Sequence, residues 1–444
     1  MPTSAFGLAF TQDNSVALLQ RLVKSAHSSN PSKRVKLSIG GWTGSKYFSQ
    51  AVSTPGNTAI FVNNIKNAVS TYGVDGVDLD WEYPGVQGAG DNAISPSDTA
   101  NFLNFLQQLR STLGPSKLIT AAVSTSPFYL PSSNSTSATS IFNSFGRVLD
   151  YITIMNYDVH DNAGSSPGSN APLLSHGPSC PSAQDVASAE LAIDQWTKAG
   201  FPVEKILLGV PSYGYAVTST ATVLGGTPDR RRRSISMRKH WSARRRLPHH
   251  SPHQRRQDQV ASLPNTKAML AALAPGPVIF NGQQSTPAVS STSNINLVAA
   301  GSDASKVANV VTDGSGQVQF RYLVQVGALV KNTTSTSSPP ASGQGGNSTT
   351  ASSGKPSTPP SFTGSGSYTR YWEQCSSTPY LVSRSQKKVI PYDDPESLQL
   401  KARYVMQRGL AGVNMFDIHG DTLDWVLTDA LRTGLEQPGP PITN

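Results

Sequence analysis

The acidic residues within positions 75–83 carry the strongest chemical signal in the sequence. The segment reads DGVDLDWEY, so Asp78, Asp80 and Glu82 follow one another at every second position. Side chains two residues apart in a β-strand point to the same face, so these three carboxyl groups share one side of a strand. The residues between them, Leu79 and Trp81, are apolar and point to the opposite face, which we expect to lie beneath helices. The spacing therefore predicts three carboxyl groups crowded on the inner face of a sheet.

Crowded carboxyl groups of this kind can perform acid–base chemistry. Burial and mutual repulsion disfavour ionisation, so we expect at least one pKa to be raised. No lysine or arginine lies nearby in sequence to neutralise the charge. Glu82, at the end of the strand, is placed to reach a substrate while protonated near neutral pH, as a general acid must be. A solvated edge strand or a metal site is the alternative. An edge strand leaves the apolar opposite face unexplained, and metal sites usually recruit histidine as well.

Strand-like and helix-like segments alternate around this motif. Short apolar runs typical of buried strands recur at intervals of about 40 residues, at positions 6–10, 35–39, 77–81, 118–123, 151–156, 206–210 and 412–416. Amphipathic helices are predicted near 16–27, 59–72, 98–113, 184–199, 395–408 and 422–434. The alternation predicts an α/β fold of parallel βα units. Seven such strands suggest a (β/α)8 TIM barrel whose first strand is missing.

A long insertion interrupts the barrel after its seventh strand. We place the first part of the barrel at residues 1–214, the insertion at 215–394, and the last helix–strand–helix unit at 395–444. Within the insertion, residues 257–331 show weak strand-like runs. Residues 332–367 consist almost entirely of Ser, Thr, Gly and Pro, a composition typical of a flexible linker.

The net charge of +9 comes from one segment of that insertion. Residues 229–256 contain eleven of the 36 Lys and Arg residues and a single acid, and acids and bases balance elsewhere. A nucleic-acid partner is therefore not expected. The run could bind an anionic polymer or a cell-wall surface. We favour the alternative that it is a loop without a fold or a mis-spliced sequence. No apolar run approaches the roughly 18 residues of a membrane helix, which excludes an integral membrane protein.

Five motifs, in order, resemble one family of enzymes. Asp75, Asp78, Asp80 and Glu82 match the DxxDxDxE signature of glycoside hydrolase family 18, the chitinases and related endo-N-acetylglucosaminidases. The further matches are Ser38, Gly40, Gly41 and Trp42 in an SxGG motif, Met155, Tyr157 and Asp158 in MxYD, Tyr213 in the segment 209–214, and the segment 392–397. The resemblance is to a fungal-type chitinase and covers about residues 5–214 and 368–444. It implies structural roles for Asp75, Gly40 and Gly41.

The resemblance implies a retaining mechanism in which the substrate assists. Glu82 would protonate the glycosidic oxygen, and the 2-acetamido carbonyl of the sugar would attack its own anomeric carbon to give an oxazolinium ion. Asp80 would orient the acetamido N–H, and Asp78 would share a proton or hydrogen bond with Asp80. Tyr157 would donate its hydroxyl to the acetamido oxygen, and Asp158 would help to hold the same sugar. No metal or cofactor is implied.

Further substrate contacts are implied by the same motifs. Ser38 and Met155 are expected to line the site. Trp42 and Tyr213 are candidates to stack on sugar faces, and Phe416 stands where the family usually has a tryptophan beneath the reacting sugar. For each aromatic residue, packing in the core is the alternative.

The start of the chain departs from the family pattern. The first strand of the family has no counterpart before Phe6, and the sequence opens without a recognisable secretion signal. A chain or gene model that starts late would explain both. We nevertheless expect an extracellular protein, because the chain is rich in Ser and Thr, its expected substrate is an extracellular polymer, and glycosylation sequons begin at Asn134, Asn332 and Asn347.

Two cysteines complete the set of candidate residues. Cys180 and Cys375 should both lie in loops at the catalytic face, where a bridge could pin the insertion to the barrel. Two free thiols are the alternative. A bridge closing so large a loop could contribute on the order of 4 kcal/mol.

The expected function is hydrolysis of β-1,4-linked N-acetylglucosamine polymers by a monomer that binds chitin or N-acetylchitooligosaccharides. An endo-β-N-acetylglucosaminidase acting on N-glycans would use the same carboxylates. A chitin-binding lectin on the same fold is another alternative, although such proteins generally lose the acid corresponding to Glu82. The last is a chain made inactive by the absence of the first strand.

Overall fold

The computed structural model describes residues 1–10, 15–131, 135–160, 167–175, 187–224, 315–332 and 359–437, together with Cys180 and positions 310, 312, 440 and 442. The basic run at 229–256 lies outside these residues, as do most of the predicted linker and the sequons at Asn134 and Asn347.

A curled sheet of six parallel strands forms the centre of the molecule. In chain order the strands are β1 (Lys36–Gly40), β2 (Gly76–Asp80), β3 (Leu118–Val123), β4 (Tyr151–Met155), β5 (Ile206–Pro211) and β14 (Gly412–Phe416). They are hydrogen-bonded in the order β1-β2-β3-β4-β5-β14. Parallel strands joined by helical crossovers are the arrangement of a TIM-barrel-like α/β fold, as the sequence predicts.

Helices cover the outer face of the sheet. The helices of the βα units are α1 (Ser15–Ser29), α2 (Phe48–Ala51), α3 (Pro55–Tyr72), α4 (Asp98–Leu113), α5 (Ser135–Val148), α6 (Ala189–Lys198), α8 (Pro395–Gln407) and α9 (Val426–Glu436). Leu79 and Trp81 of the acidic segment face them and are 0% and 2% exposed. Trp81 stacks on Phe48, with ring centroids 5.2 Å apart, and meets Phe102 edge to face at 5.3 Å. The apolar side of the segment is therefore core, as expected.

The prediction of a strand at residues 6–10 is wrong. Residues 1–10 form a turn in which the Thr3 N–H donates to the Gly7 carbonyl and the Phe6 N–H to the Thr3 carbonyl, both over 2.9 Å. Phe6 has a φ of 59°, which no β-strand accommodates. Only an isolated bridge between Pro2 and Leu8 has β character. Within the described residues, β1 and β14 are thus the two edges of the parallel sheet.

The chain between β5 and α8 builds small antiparallel sheets. Its elements are β6 (Tyr213–Tyr215), β7 (Val217–Thr218), β8 (Gln317–Gln319), α7 (Phe320–Gln325), β9 (Leu329–Lys331), β10 (Phe362–Gly364), β11 (Thr369–Glu373), β12 (Thr378–Ser383) and β13 (Lys388–Pro391). β6 pairs with β8 and β9 with β10, while β11, β12, β13 and β7 form a four-stranded sheet. The proposed boundary at 214/215 falls inside β6.

Two expectations about this region are corrected. Residues 257–331, expected to show only weak strand-like runs, contain the helix α7, whose buried Phe320 and Leu323 follow helical rather than alternating spacing. The predicted linker at 332–367 ends earlier than expected. Phe362 is 5% exposed and packs edge to face on Phe320, so β10 belongs to a folded element.

Cys180 and Cys375 form the expected disulfide, with Cα atoms 4.8 Å apart and a sequence separation of 195 residues. It joins the region after β4 to the turn between β11 and β12. No helix in the described parts of the chain is both long and apolar enough to cross a membrane.

Candidate active site

The three carboxyl groups of the acidic segment lie at the carboxyl end of β2. Burial, followed by the charges of Glu82 and Asp78, raises the pKa of Asp80 well above its usual value. Burial also raises the pKa of Glu82 to about 7, with a further upward contribution from Asp158 and an opposing one from a hydrogen bond with Tyr83. Glu82 is 8% exposed. A carboxyl group with such a pKa keeps a substantial protonated fraction near neutral pH and can act as a general acid.

Glycines at the end of β1 let the backbone of β2 approach closely. Gly40 has a φ of +121°, and a Cβ there would stand 2.0 Å from the Asp80 carbonyl oxygen. Gly41 has a φ of +87°, and its N–H donates to the same carbonyl over 2.7 Å. Only glycine takes this backbone conformation without strain. The two glycines of the SxGG motif therefore fix where the Asp80 backbone lies.

Two polar residues outside the motifs hold the Glu82 backbone. The buried Ser45 hydroxyl accepts the Glu82 N–H over 2.9 Å and lies within hydrogen-bonding distance of the Gly41 and Asp80 carbonyls. The Asn92 amide donates to the Glu82 carbonyl and to the Trp42 carbonyl, each over 3.1 Å. Sequence reasoning missed both residues. Neither residue belongs to a sequence motif, and their roles become visible only when the fold brings them to the Glu82 backbone.

Asp78 lies among hydroxyl groups deeper in the sheet. Ser38 Oγ donates to Asp78 Oδ2 over 3.0 Å, and Thr120 Oγ1 donates to Asp78 Oδ1 over 2.6 Å. Lys36 Nζ donates in turn to Thr120 Oγ1 over 2.6 Å. Although no base lies near the acidic segment in sequence, the pairing of β1 with β2 brings Lys36 close to it. Ser38, expected to contact substrate, contacts Asp78 here.

Aromatic residues and Asp158 form the opposite wall. The Tyr213 and Tyr215 hydroxyls donate to Asp158 Oδ1 over 2.6 and 2.7 Å. Phe416 stacks on Tyr157, with centroids 5.7 Å apart. Burial, then the charge of Asp80, raises the pKa of Tyr157 well above its usual value, so this phenol remains a hydrogen-bond donor.

Tyr213 does not match the expectation of a sugar-stacking platform. Its ring is 0% exposed and packs against Tyr157, Tyr215 and Phe416. The buried hydroxyl finds its partner in Asp158, as buried tyrosines usually require. Tyr213 therefore positions Asp158.

Of the remaining candidate residues, Trp42 and Met155 lie at the site, whereas Asp75 lies at the start of β2. Trp42 follows β1 and is partly buried, and Met155 ends β4 beside the site. Asp75 precedes β2 and accepts hydrogen bonds from the Val35 N–H over 2.8 Å and from His27 Nε2 over 2.9 Å. Burial acts to raise the pKa of Asp75, but these hydrogen bonds outweigh it and the pKa is lowered. Asp75 therefore links the backbone before β1 and the His27 side chain of α1 to the start of β2.

The arrangement suits proton transfer to a group held between the carboxyl groups of the acidic segment and the aromatic residues around Asp158. Glu82 carries a carboxyl group able to give up a proton near neutral pH, and the charges of Asp80 and Glu82 both act on the Tyr157 hydroxyl, which places these three groups close together. In the part of the chain that the structure describes, no cluster of three or more His, Cys, Asp or Glu side chains is arranged to hold a metal ion.

Comparisons with known proteins show the family to which the chain belongs. The family model for glycosyl hydrolases family 18 matches residues 3–421. A chitinase-like effector of Moniliophthora roreri is 32% identical over 417 residues, which cover 94% of this chain and 80% of the relative. Chitinase A1 of Niallia circulans is 25% identical over 427 residues, covering 93% of this chain and 44% of that protein. The crystal structure of a Rhizomucor miehei chitinase is similar with a TM-score of 0.62 and 27% identity, covering 98% of this chain and 92% of the other. The chain belongs to glycosyl hydrolases family 18.

Proposed function

We propose that this protein hydrolyses β-1,4 bonds between N-acetylglucosamine units by a retaining, substrate-assisted mechanism. Glu82 protonates the leaving oxygen and afterwards activates water. The acetamido carbonyl of the reacting sugar attacks its own anomeric carbon, so no enzyme carboxylate needs to come within bonding distance. Asp80 orients the acetamido N–H and balances the positive charge that develops, while Tyr157 donates to the acetamido oxygen.

The observation that carries this proposal is the state of Glu82. The carboxyl is 8% exposed and has a pKa of about 7, with Asp80 two residues away on the same face. A buried carboxyl group that is partly protonated near neutral pH, beside a second carboxyl group, is the arrangement that glycosidic cleavage needs. The chitinases among the similar proteins identify N-acetylglucosamine polymers as the substrate class to test first.

Hydrolysis of short N-acetylchitooligosaccharides tests the proposal. We expect the 444-residue chain to release products with the β-anomeric configuration, read by NMR within minutes of cleavage. Glu82→Gln keeps the size of the side chain but has no proton to give, so the rate should fall by at least about 100-fold. Equal rates in the two proteins, or α-anomeric products, would refute the assigned role of Glu82.

Binding without turnover is the second candidate. Two relatives that match most of the chain carry the name chitinase-like effector, which describes likeness to chitinases without stating hydrolysis. Wild-type protein that retains N-acetylchitooligosaccharides in calorimetry but releases no product would favour this function. An endo-β-N-acetylglucosaminidase would instead cleave the chitobiose core of an N-glycan.

We also propose that the protein is secreted. The Cys180–Cys375 bridge supports this location, because disulfides persist mainly in oxidising compartments. The exposed sequon asparagine Asn332, in the described region, is accessible to glycosylation. Culture-medium fractionation with peptide mapping of Asn332 tests both points together.

A further inference from the structure

Lys36 is a basic residue on the inner face of the sheet that the proposed mechanism does not use. It begins β1 and lies two residues before Ser38, so both side chains point to the same face. The strand register places Lys36 beside Gly76 and Ser38 beside Asp78, which in turn lies beside Thr120 of β3. The ammonium group therefore reaches the carboxyl cluster from the amino end of the strands.

The hydrogen-bond chain from Lys36 to Asp78 has only one possible direction. An ammonium group only donates, and a threonine hydroxyl has a single hydrogen. Because Thr120 Oγ1 accepts from Lys36 Nζ over 2.6 Å, its own hydrogen is directed to Asp78 Oδ1, also at 2.6 Å. Ser38 Oγ donates to Asp78 Oδ2 over 3.0 Å. Both oxygens of Asp78 thus act as acceptors, as in an ionised carboxylate.

Asp80 is in the opposite situation. Its Oδ1 atom is buried and has no hydrogen-bond partner among the described residues. A buried carboxylate oxygen without a donor is costly, whereas a protonated carboxyl tolerates this environment far better. The asymmetry places the proton of the Asp78–Asp80 pair on Asp80.

We propose that Lys36 is a positioning residue of the active site, whose charge, relayed by Thr120, keeps one negative charge on the Asp78–Asp80 pair. Without substrate this charge lies on Asp78, and it passes to Asp80 when Asp80 gives its proton to Asp78 and accepts the acetamido N–H. This inference rests on the proposed function in that Asp80 acts on the acetamido group of the substrate. Lys36 touches neither the substrate nor the reacting atoms, and it acts through the state of the two aspartates.

The other charged and titratable groups around the pair do not replace Lys36. Asp150 also attracts the Lys36 ammonium, which helps to offset the effect of burial in lowering its pKa. Asp150 is itself bound by Arg110, with 2.6 Å between Nη2 and Oδ2. Glu82, which adds negative charge when ionised, and Tyr157, which is held neutral, face Asp80 from the carboxyl end. Lys36 therefore supplies positive charge to the pair from the amino end of the strands.

Removing this charge should change the pH dependence of activity in one direction. Without the ammonium group, the Asp78–Asp80 pair takes up a second proton at a higher pH. Since the doubly protonated pair has no carboxylate, the acid limb of kcat/KM should move to higher pH in Lys36→Met, by about 1 pH unit, as expected for the loss of a partly solvated opposite charge near the pair. The alkaline limb should stay in place, because it reflects Glu82.

The experiment compares wild type, Lys36→Met, Lys36→Arg and Lys33→Met. Lys33 donates to Ser29 Oγ over 3.1 Å and is exposed outside the sheet, so its substitution removes the same charge elsewhere. We expect the shift in Lys36→Met alone, with restoration in Lys36→Arg. Lys36→Gln provides a second neutral variant if the methionine variant does not fold, as judged by circular dichroism.

A second measurement separates this inference from the proposed function. The 13Cγ resonances of Asp78 and Asp80, assigned with D78N and D80N, report protonation whether or not the protein cleaves chitin. A rise in the titration midpoint of the pair in Lys36→Met supports the inference even if no wild-type hydrolysis is found, which would refute only the function. An unchanged midpoint together with an unchanged acid limb would refute the role of Lys36 while leaving the function intact.

Discussion

Glu82 shows how the requirements of chemistry oppose those of folding. In the unfolded chain a glutamate ionises near pH 4.3, whereas in the folded site the pKa of Glu82 is about 7. Between these two values the folded state keeps a proton that the unfolded state has lost. The free energy of unfolding therefore falls as pH rises through this window, which is the reverse of the usual behaviour of a salt-bridged carboxylate.

This difference predicts that Glu82→Gln stabilises the protein at alkaline pH. Glutamine stays neutral, so the variant avoids the cost of burying an ionised carboxylate. We expect equal stability of the two proteins near about pH 4, and a variant more stable by about 3 kcal/mol near pH 8. Urea unfolding at both pH values measures this. Glu204→Gln, at an exposed position, is the matched control and should show no such gain.

At this scale, alternation along one strand is sufficient to predict Asp78, Asp80 and Glu82 on one face and the apolar residues on the other. It is not sufficient for residues that reach the site from other strands and loops. Lys36 lies 42 positions before Asp78 and 84 before its partner Thr120. Their contact depends on the register between strands, which no local pattern encodes. The same holds for Ser45 and Asn92, which hold the Glu82 backbone.

Among the elements, helix α8 has an unusually polar anchor. Its N-cap Asp394 accepts the Glu396 and Ser397 N–H groups over 3.0 and 3.2 Å. One turn further on, Lys401 Nζ pairs with Asp393 Oδ1 at 2.5 Å, and both side chains are 0% exposed. Burial lowers the pKa of Lys401, and the Asp393 charge opposes this. The helix is thus tied to the strand region before it by a charge pair with no access to water.

Breaking this pair should destabilise the protein more than removing it. Lys401→Met leaves the Asp393 carboxylate buried and unpaired, at an expected cost of about 3–5 kcal/mol. Adding Asp393→Asn should recover at least about half of that loss, because the uncompensated charge is gone. A double-mutant cycle from urea unfolding measures both effects. A double variant as unstable as Lys401→Met would show that geometry, and not charge, sets the cost.

Most elements follow from the sequence, and the exceptions have physical causes. The α4 and β3 bounds agree with their predictions because each segment carries a strong period and clear ends. Residues 6–10 are apolar, yet they turn, since Phe6 takes a left-handed conformation stabilised by contacts within residues 1–10. The strand β10 follows a Ser- and Thr-rich stretch, and it is defined by contacts distant in sequence, namely its pairing with β9 and the packing of Phe362 on Phe320.

At the scale of the whole molecule, the disulfide links two cysteines that are 195 residues apart in sequence. Cys180–Cys375 closes a loop of 195 residues around β5 and much of the region before α8. A crosslink of this span restricts the unfolded chain strongly. It therefore stabilises the native state without adding a contact at the carboxyl cluster.

Replacing both cysteines with serine should lower the free energy of unfolding by about 4 kcal/mol. Dithiothreitol should lower the free energy of unfolding of the wild-type protein by a comparable amount. It should leave the free energy of unfolding of the double variant unchanged. Unfolding in urea with and without reductant, at one pH, separates the covalent effect from any loss of packing. A reductant effect in the double variant would argue against the bridge as its cause.

The two faces of β2 have a consequence for how such a protein can change over generations. Leu79 and Trp81 hold the strand in the core, whereas Asp78, Asp80 and Glu82 contribute little to the apolar packing. Within residues 78–82, substitutions that affect the fold and substitutions that affect the proposed chemistry therefore fall on alternate positions. If the proposed mechanism holds, a single Glu82→Gln substitution removes turnover but leaves the apolar face of the strand, and with it the fold, unchanged.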